Sequence, residues 1–117
     1  MYTLVHDRDS IGTTLFESGD PATLTVSGVF NNIGGAKAIA GWIKSIGGEE
    51  EDGVVFIALN DDFLLLDHDG IVIKFAEGHL ISVPDDDEVF VDITSHSAED
   101  YAAHFPAHLS ALAKENS

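Results

Sequence analysis

The sequence contains no cysteine, which excludes disulfide bonds and thiolate metal sites. Basic residues are also scarce: five lysines and arginines stand against 21 aspartates and glutamates, for a formal net charge of −16. Such a charge bears on solubility, partners and encounter rates rather than on the fold. Nucleic acid and anionic membrane surfaces are polyanions, so we expect neither of them as a partner. The natural complement is a basic protein or a cation.

Long apolar runs are missing as well. No segment approaches the roughly 20 consecutive apolar residues that a transmembrane helix needs. The N-terminal segment MYTLVHDRDS lacks the basic start and the apolar stretch of a secretory signal peptide, so we expect a cytoplasmic protein. With 117 residues, of which 44% are hydrophobic, the chain can bury one core, and we predict a single domain over residues 1–117.

Motifs of the common catalytic and nucleotide-binding sites are absent too. The sequence has no G-x-S-x-G nucleophile elbow, no glycine-rich phosphate loop and no HExxH zinc motif. Asp67, Asp69 and Gly70 resemble the start of a calcium loop that lacks its distal glutamate. His104 and His108 are four residues apart, a spacing at which two histidines on a helix can hold a metal ion. The spacing alone does not decide whether they do, and such a pair more often forms a polar helix face. We predict no enzymatic activity, no catalytic residue, no metal site and no cofactor.

Hydrophobic periodicity in the first half predicts two strands and a helix. The strands are expected over residues 2–6 and 22–30, where apolar and polar residues alternate or β-branched residues cluster. The helix is expected over residues 31–48, with an asparagine cap at its start and Gly47–Gly48 at its end. Its apolar stripe consists of Ala36, Ile39, Ile43 and Ile46, with Trp42 at the edge.

The second half predicts a meander of consecutive antiparallel strands. Five strand-like runs lie between residues 53 and 95, at spacings of 8–10 residues. Asp69–Gly70 is a hairpin signal, and Glu77–Gly78 repeats it less strongly.

A final helix is predicted after the capping residue Ser97, with a kink or break at Pro106. Its apolar stripe consists of Tyr101, Phe105, Leu109 and Leu112. The predicted fold is therefore α+β: an antiparallel sheet of about six to seven strands, in the order ββ-α-βββββ-α, with two helices packed on one face.

Acidic residues gather in runs beside the predicted strands. One interpretation is that they keep sheet edges from pairing with other chains. The other is a recognition face, because the turns of an antiparallel sheet gather at its two ends and can bring separate runs together. On this second interpretation we predict a partner-binding surface made of Glu49, Glu50, Glu51, Asp52, Asp61, Asp62, Asp85, Asp86, Asp87 and Glu88.

In size and charge the chain resembles the small acidic immunity proteins of bacterial toxin systems, with no motif that assigns a family. We expect an inhibitor of the immunity or antitoxin type, which binds and blocks a basic toxin, such as a nuclease, by charge complementarity. Phe63, Phe90 and Tyr101 are candidates for an apolar anchor within the charged rim, although each also suits a core position. Reversal of residues 85–88 to lysine is expected to weaken partner binding and to leave folding intact.

Three other functions stay open at this stage. One is a small enzyme or metal-binding protein that uses the histidines, and the other two depend on the charge or on the sheet. The first of these two is a DNA mimic that inhibits a nucleic-acid-binding defence complex of the anti-restriction or anti-CRISPR type. It shares the electrostatics but needs carboxylates spaced like phosphates along a surface. The second is self-association, in which a sheet edge pairs with a copy of itself to form a homodimer.

Overall fold

The structure is a computed structural model that describes residues 1–20, 22–32 and 34–105. It confirms the predicted α+β class, because within these ranges two helices accompany a large antiparallel sheet. The helices are α1 (Gly35–Ser45) and α2 (Ala98–His104). The ten strands are β1 (Tyr2–His6), β2 (Asp9–Thr14), β3 (Ser18–Asp20), β4 (Thr25–Asn31), β5 (Glu49–Glu51), β6 (Val54–Ala58), β7 (Phe63–Leu66), β8 (Val72–Ile73), β9 (Glu77–Val83) and β10 (Glu88–Thr94).

All ten strands belong to one sheet, in the order β5-β6-β9-β10-β4-β2-β1-β7-β8, with β3 also paired to β4. The strand count exceeds the prediction because β2, β3 and β5 are short or polar and carry little apolar pattern. The predicted meander is correct in two of its pairings, β7 with β8 and β9 with β10, and wrong in the other two, β6 with β7 and β8 with β9. Strand β6 pairs with β5 and β9, which leaves it no edge for β7, and β7 pairs with β1 instead.

Two hairpins are closed by two-residue turns with positive φ. Asp7 and Arg8 (φ 48° and 75°) join β1 to β2, and Asp52 and Gly53 (φ 52° and 81°) join β5 to β6. Positive φ at both central positions is the mark of a type I′ turn, whose twist matches that of the flanking strands. These two turns, rather than the predicted ones, have the tight primed geometry.

The hairpin predicted at Asp69–Gly70 is confirmed as the pairing of β7 with β8. Its loop spans residues 67–71 and is therefore longer than a two-residue turn. The Asp67 N–H closes this loop by bonding to the Ile71 carbonyl at 2.9 Å. Glu77–Gly78 is not a turn, since both residues belong to β9.

Helix α1 lies on the sheet as its sequence pattern predicts. Ala36, Ile39 and Ile43 of the apolar stripe are buried, and the helix packs on β6, β9 and β10. The Ser82 hydroxyl of β9 donates to the Ala36 carbonyl at 2.8 Å, which ties the first turn of the helix to the sheet.

The two ends of α1 are formed differently. At the C-terminal end Gly47 has a φ of 101°, and the Gly48 N–H bonds to the Ile43 carbonyl at 2.8 Å, so the predicted glycine end is confirmed. At the start, Asn32 closes a turn before the helix rather than capping the helix itself. Its Oδ1 accepts from the Gly34 N–H at 2.7 Å.

Replacing Gly41 with alanine is expected to raise the free energy of unfolding by about 0.5–1 kcal/mol. Gly41 lies inside α1 on its exposed side, and an added Cβ meets no atom within 4 Å. Alanine therefore gains helix propensity without a clash. Urea denaturation of both proteins measures the change, and a loss of stability would contradict the exposed position.

Helix α2 begins at the predicted cap, where Ser97 Oγ accepts the Asp100 N–H at 3.2 Å. It ends at His104, whose carbonyl accepts the Tyr2 hydroxyl at 3.1 Å. The predicted break falls on Pro106, and this residue lies outside the described residues, as do His108, Leu109 and Leu112 of the predicted helix.

Both helices cover the same face of the sheet. Trp42 of α1 contacts His6 with ring centroids 5.1 Å apart, and Phe105, just after α2, contacts Tyr2 at 5.5 Å. Tyr2, Leu4 and His6 are every second residue of β1, so their side chains lie on the same side of the strand as the buried Leu4. We call the opposite side of the sheet the outer face. Neither α1 nor α2 has the length and apolar character that a membrane-crossing helix requires.

Candidate functional site

The two acidic runs lie side by side at one end of the sheet. Strands β6 and β9 pair antiparallel, so the turn before β6 adjoins the 3₁₀ turn (Pro84–Asp86) that follows β9. A Cβ atom placed on Gly53 would lie 3.8 Å from Oδ2 of Asp85. We call this surface the acidic end, and it comprises the exposed residues Glu49, Glu50, Glu51, Asp52, Asp85, Asp86, Asp87 and Glu88.

Asp61 and Asp62 do not join the acidic end. They follow β6, and the five residues of that strand, at about 3.3 Å each, separate them from Asp52. The Asp7 N–H bonds to the Asp62 carbonyl at 3.1 Å, so this pair adjoins the β1–β2 turn. The ten acids of the predicted surface therefore divide between two ends of the sheet.

Two members of the acidic end already have partners within the fold. Oδ1 of Asp87 accepts the Ala36 N–H at 3.3 Å and so satisfies a backbone donor at the start of α1. Glu50 forms an ion pair with Lys44, and both side chains are about half exposed, so the pair adds little stability. Reversing Asp87 together with its neighbours is therefore not expected to leave folding intact, which corrects the expectation for residues 85–88.

Replacing Asp87 with asparagine is expected to lower the free energy of unfolding by about 0.5–1 kcal/mol. The helix has no acidic residue in its first turn and no side-chain bond from its cap residue Gly34, so Asp87 supplies the negative charge that this end of α1 favours. Asparagine tolerates the left-handed backbone of this position (φ 51°), which restricts the change to the charge.

Asp86→Asn is the matched control for this substitution. It removes the same charge from the neighbouring exposed position, where no backbone N–H of the described residues donates to the carboxylate. Urea denaturation should show a change within about 0.5 kcal/mol for the control. Equal losses in the two variants would show that Asp87 does not cap the helix.

An apolar row crosses the outer face beside the acidic end. Phe56, Ile81, Phe90 and Val29 are successive cross-strand partners on β6, β9, β10 and β4. We call these four residues the apolar row. Val29 is 47% exposed and the other three are half-buried. Glu49 of the acidic end pairs with Phe56 across β5 and β6, so one end of the apolar row adjoins the acidic end.

One of the three predicted anchor aromatics lies on this face. Phe90 belongs to the apolar row, whereas Phe63 and Tyr101 are 4% and 1% exposed and belong to the core. Phe56 was not indicated by the sequence, because its run VVFIAL is apolar throughout and gives no alternation from which to read a face.

A histidine–aspartate pair also lies on the outer face. His79 Nδ1 and Asp92 Oδ1 are 3.0 Å apart on β9 and β10, and Ser27 of β4 is paired with Asp92 on its other side. The aspartate therefore stands between the hydroxyl and the imidazole, which are about two strand spacings, or roughly 10 Å, apart. Activation of a serine needs the histidine next to the hydroxyl, so this order does not form a nucleophile–base pair.

Asp67 is a turn residue of the β7–β8 loop. Its Oδ1 accepts the N–H groups of Asp69 and Ile71 at 2.8 and 2.9 Å. These bonds, chiefly the one from Ile71, hold the pKa of Asp67 below its ordinary value. The carboxylate thus closes a hairpin loop, which accounts for its position without a calcium ion.

Histidine and carboxylate side chains are the metal ligands that this cysteine-free chain offers. Across residues 1–20, 22–32 and 34–105, no group of three or more such side chains is placed to hold a metal ion. His108 of the predicted pair with His104 lies outside these ranges.

A groove of about 700 Å³ lies between α1 and β2. Its walls include Ile39 and Trp42 from the helix and Gly12, Thr13 and Asn31 from the strands. The described side chains that line it are apolar, hydroxyl or amide groups, and none of these described side chains is titratable. The groove therefore contains none of the predicted partner-binding residues.

The described part of the sheet ends in β5 on one side and in β8 on the other. Strand β5 consists of three exposed glutamates, which discourage pairing with another chain. Next to and within β8, Ile71 and Val72 are 59% and 45% exposed. A homodimer formed through this second edge stays a prediction.

Comparison of the chain with protein-family models, with curated proteins and with solved structures finds no match.

Proposed function

We propose that the protein is an acidic inhibitor of the immunity type, which binds a basic toxin through the acidic end and blocks it. The observation that supports the proposal is the meeting of two sequence-distant acidic runs at one end of the sheet, with Asp85 beside Gly53. A nuclease is the toxin class that suits this surface best. Nucleases hold phosphates on positive surfaces, and a cluster of carboxylates competes for the same positions.

Charge complementarity of this kind acts mainly on association rate and partner choice. Steered association reaches about 10⁸–10⁹ M⁻¹s⁻¹ at low salt and falls as salt screens the charges over roughly 8 Å at physiological ionic strength. Glu50 and Asp87 contribute less to a partner than the other acids, because Lys44 and the start of α1 already engage them.

A DNA mimic that inhibits a defence complex is the second candidate. The same acids would serve it, since its target also has a basic surface. The apolar row beside the acidic end favours the toxin inhibitor. A groove that holds DNA contacts mostly phosphates and base edges, and offers little apolar surface for such a row to meet.

The test starts from the immobilised full chain and the basic proteins that it retains from a bacterial lysate. Each retained protein is then purified, and its affinity for the chain is measured by calorimetry at low and at physiological salt. We expect an affinity that falls as salt rises, and loss of the partner's nuclease activity at equimolar inhibitor. Retention of no basic protein at low salt, or a bound partner that keeps its activity, would contradict the proposal. Displacement of DNA from a bound protein that is not a nuclease would favour the mimic.

Two double variants provide the matched comparison for this experiment. Asp85→Lys with Asp86→Lys reverses two charges in a turn of the acidic end, and Asp61→Lys with Asp62→Lys reverses two charges in a turn at the other end of β6. Both change the net charge equally. The first should weaken binding by about tenfold or more and the second by much less. Equal effects would mean that net charge, not the acidic end, governs binding.

A further inference from the structure

The apolar row is unusual for its position. The face of the sheet that α1 and α2 cover is apolar, and the outer face of such a sheet is ordinarily polar. Single exposed apolar residues are common on proteins, but Phe56, Ile81, Phe90 and Val29 are contiguous. At about 4.8 Å between strands, the row extends over roughly 14 Å. A contiguous apolar patch of this kind marks a contact site more often than a chance exposure.

Carboxylates stand at both ends of the row. Glu49 faces Phe56 across β5 and β6, and Oε1 of Glu17 accepts the Val29 N–H at 2.9 Å. Glu88 lies two residues before Phe90 on the same side of β10.

The basic residues of the described chain lie on other elements. Arg8 is in the β1–β2 turn, Lys37 and Lys44 are on α1, and Lys74 follows β8. The surroundings of the apolar row are therefore negative.

We propose that the apolar row is the anchor site for the basic partner, and that it receives an aromatic or large aliphatic side chain which the partner presents between lysines or arginines. The inference rests on the proposed function, and it adds the source of the specificity for the partner. Charged rims steer and select, while a buried apolar anchor at the centre of an interface carries most of the affinity. A second copy of the chain suits this face poorly, because each copy carries the same negative rim.

Two synthetic peptides test the inference without knowledge of the partner. Both consist of lysines and arginines, and they differ at one central residue, which is tryptophan in one and alanine in the other. Each is titrated at low salt into the isotopically labelled full chain, and backbone amide shifts give both the affinity and the site. We expect the tryptophan peptide to bind at least about fivefold more tightly, with its largest shifts at the apolar row.

Variants separate the row from the acids. Phe90→Thr should bring the two peptides to nearly equal affinity, and Val29→Thr, at a more exposed position, should reduce the preference if Phe90→Thr folds poorly. Glu49→Gln with Glu88→Gln should weaken both peptides to a similar degree and keep the preference for tryptophan. Near-ultraviolet circular dichroism checks that each variant is folded.

Each other outcome overturns the inference in a distinct way. Equal affinity of the two peptides for the wild-type chain, with shifts confined to the acidic end, would remove the anchor and leave the proposed function standing. Binding of neither peptide would count against both. A wild-type dimer by light scattering that becomes a monomer in Val29→Lys would assign the row to a second copy instead.

Discussion

Replacing Phe105 with alanine is expected to lower the free energy of unfolding by about 3–5 kcal/mol. Phe105 is 1% exposed, and its ring lies 5.5 Å from that of Tyr2, 5.6 Å from Phe16 and 5.8 Å from Tyr101. Truncation leaves a cavity among three aromatic rings, and it also removes the edge-to-face contact with Phe16 and the tilted contacts with the other two rings. Because Phe105 directly follows α2, the same change loosens the helix from β1. Urea denaturation followed by fluorescence and circular dichroism measures the loss.

Leu15→Ala is the control for the Phe105 variant. Leu15 immediately precedes the buried Phe16 but is itself 63% exposed, so its truncation should change stability by no more than about 0.5 kcal/mol. Phe105→Leu keeps an apolar side chain in the site and should recover much of the loss. If Phe105→Ala cost no more than Leu15→Ala, the aromatic cluster would not be what holds α2 on the sheet.

The local features of the two helices could be predicted from the sequence. The stripe of α1, its glycine end and the Ser97 cap of α2 each depend on residues a few positions apart, and the structure confirms all three. Capping and helical periodicity are short-range effects, so one sequence carries enough information to place them.

Strands β2 and β5 were not predicted, because the turn before β2 and the residues of β5 differ from those that usually indicate hairpins and strands. The β1–β2 turn has Arg8 at a position with φ 75°, where glycine is the common residue. The turn at Asp52–Gly53 does have the usual signal, but the strand before it is made of three glutamates, which are depleted in strands. Three consecutive glutamates are also typical of a recognition surface, so the pattern does not indicate a paired strand.

The sheet order could not be predicted, because it depends on contacts between distant parts of the chain. The pairing of β6 with β9, rather than with β7, is what brings Asp52 and Asp85 to the same end. The sequence therefore identifies the acids of the candidate site but not which of them are neighbours. The role of Asp87 as a partner of the α1 backbone is hidden for the same reason, since 51 positions separate it from Ala36.

Replacing Gly48 with alanine is expected to lower the free energy of unfolding by about 2–3 kcal/mol. A Cβ on Gly48 would overlap Cγ2 of Ile43 and would lie 2.8 Å from the Ile43 carbonyl oxygen and 2.9 Å from that of Phe56. Ile43 belongs to α1 and is fully buried between the helix and the sheet, so its side chain has no free space into which to move. The two oxygens belong to the end of the helix and to β6, and either can withdraw only if the backbone shifts.

The comparison that isolates this clash uses two other variants and the same urea denaturation. Gly41→Ala adds the same methyl group to the same region at a position with no close atom, and its expected effect has the opposite sign. Ile43→Ala removes Cγ2 and leaves the backbone oxygens in place, so the double variant with Gly48→Ala should lose less stability than the sum of the two single losses. Additive losses would mean that the side chain of Ile43 is not what excludes a Cβ at Gly48. A loss below about 0.5 kcal/mol for Gly48→Ala alone would mean that the connection from α1 to β5 moves aside at little cost.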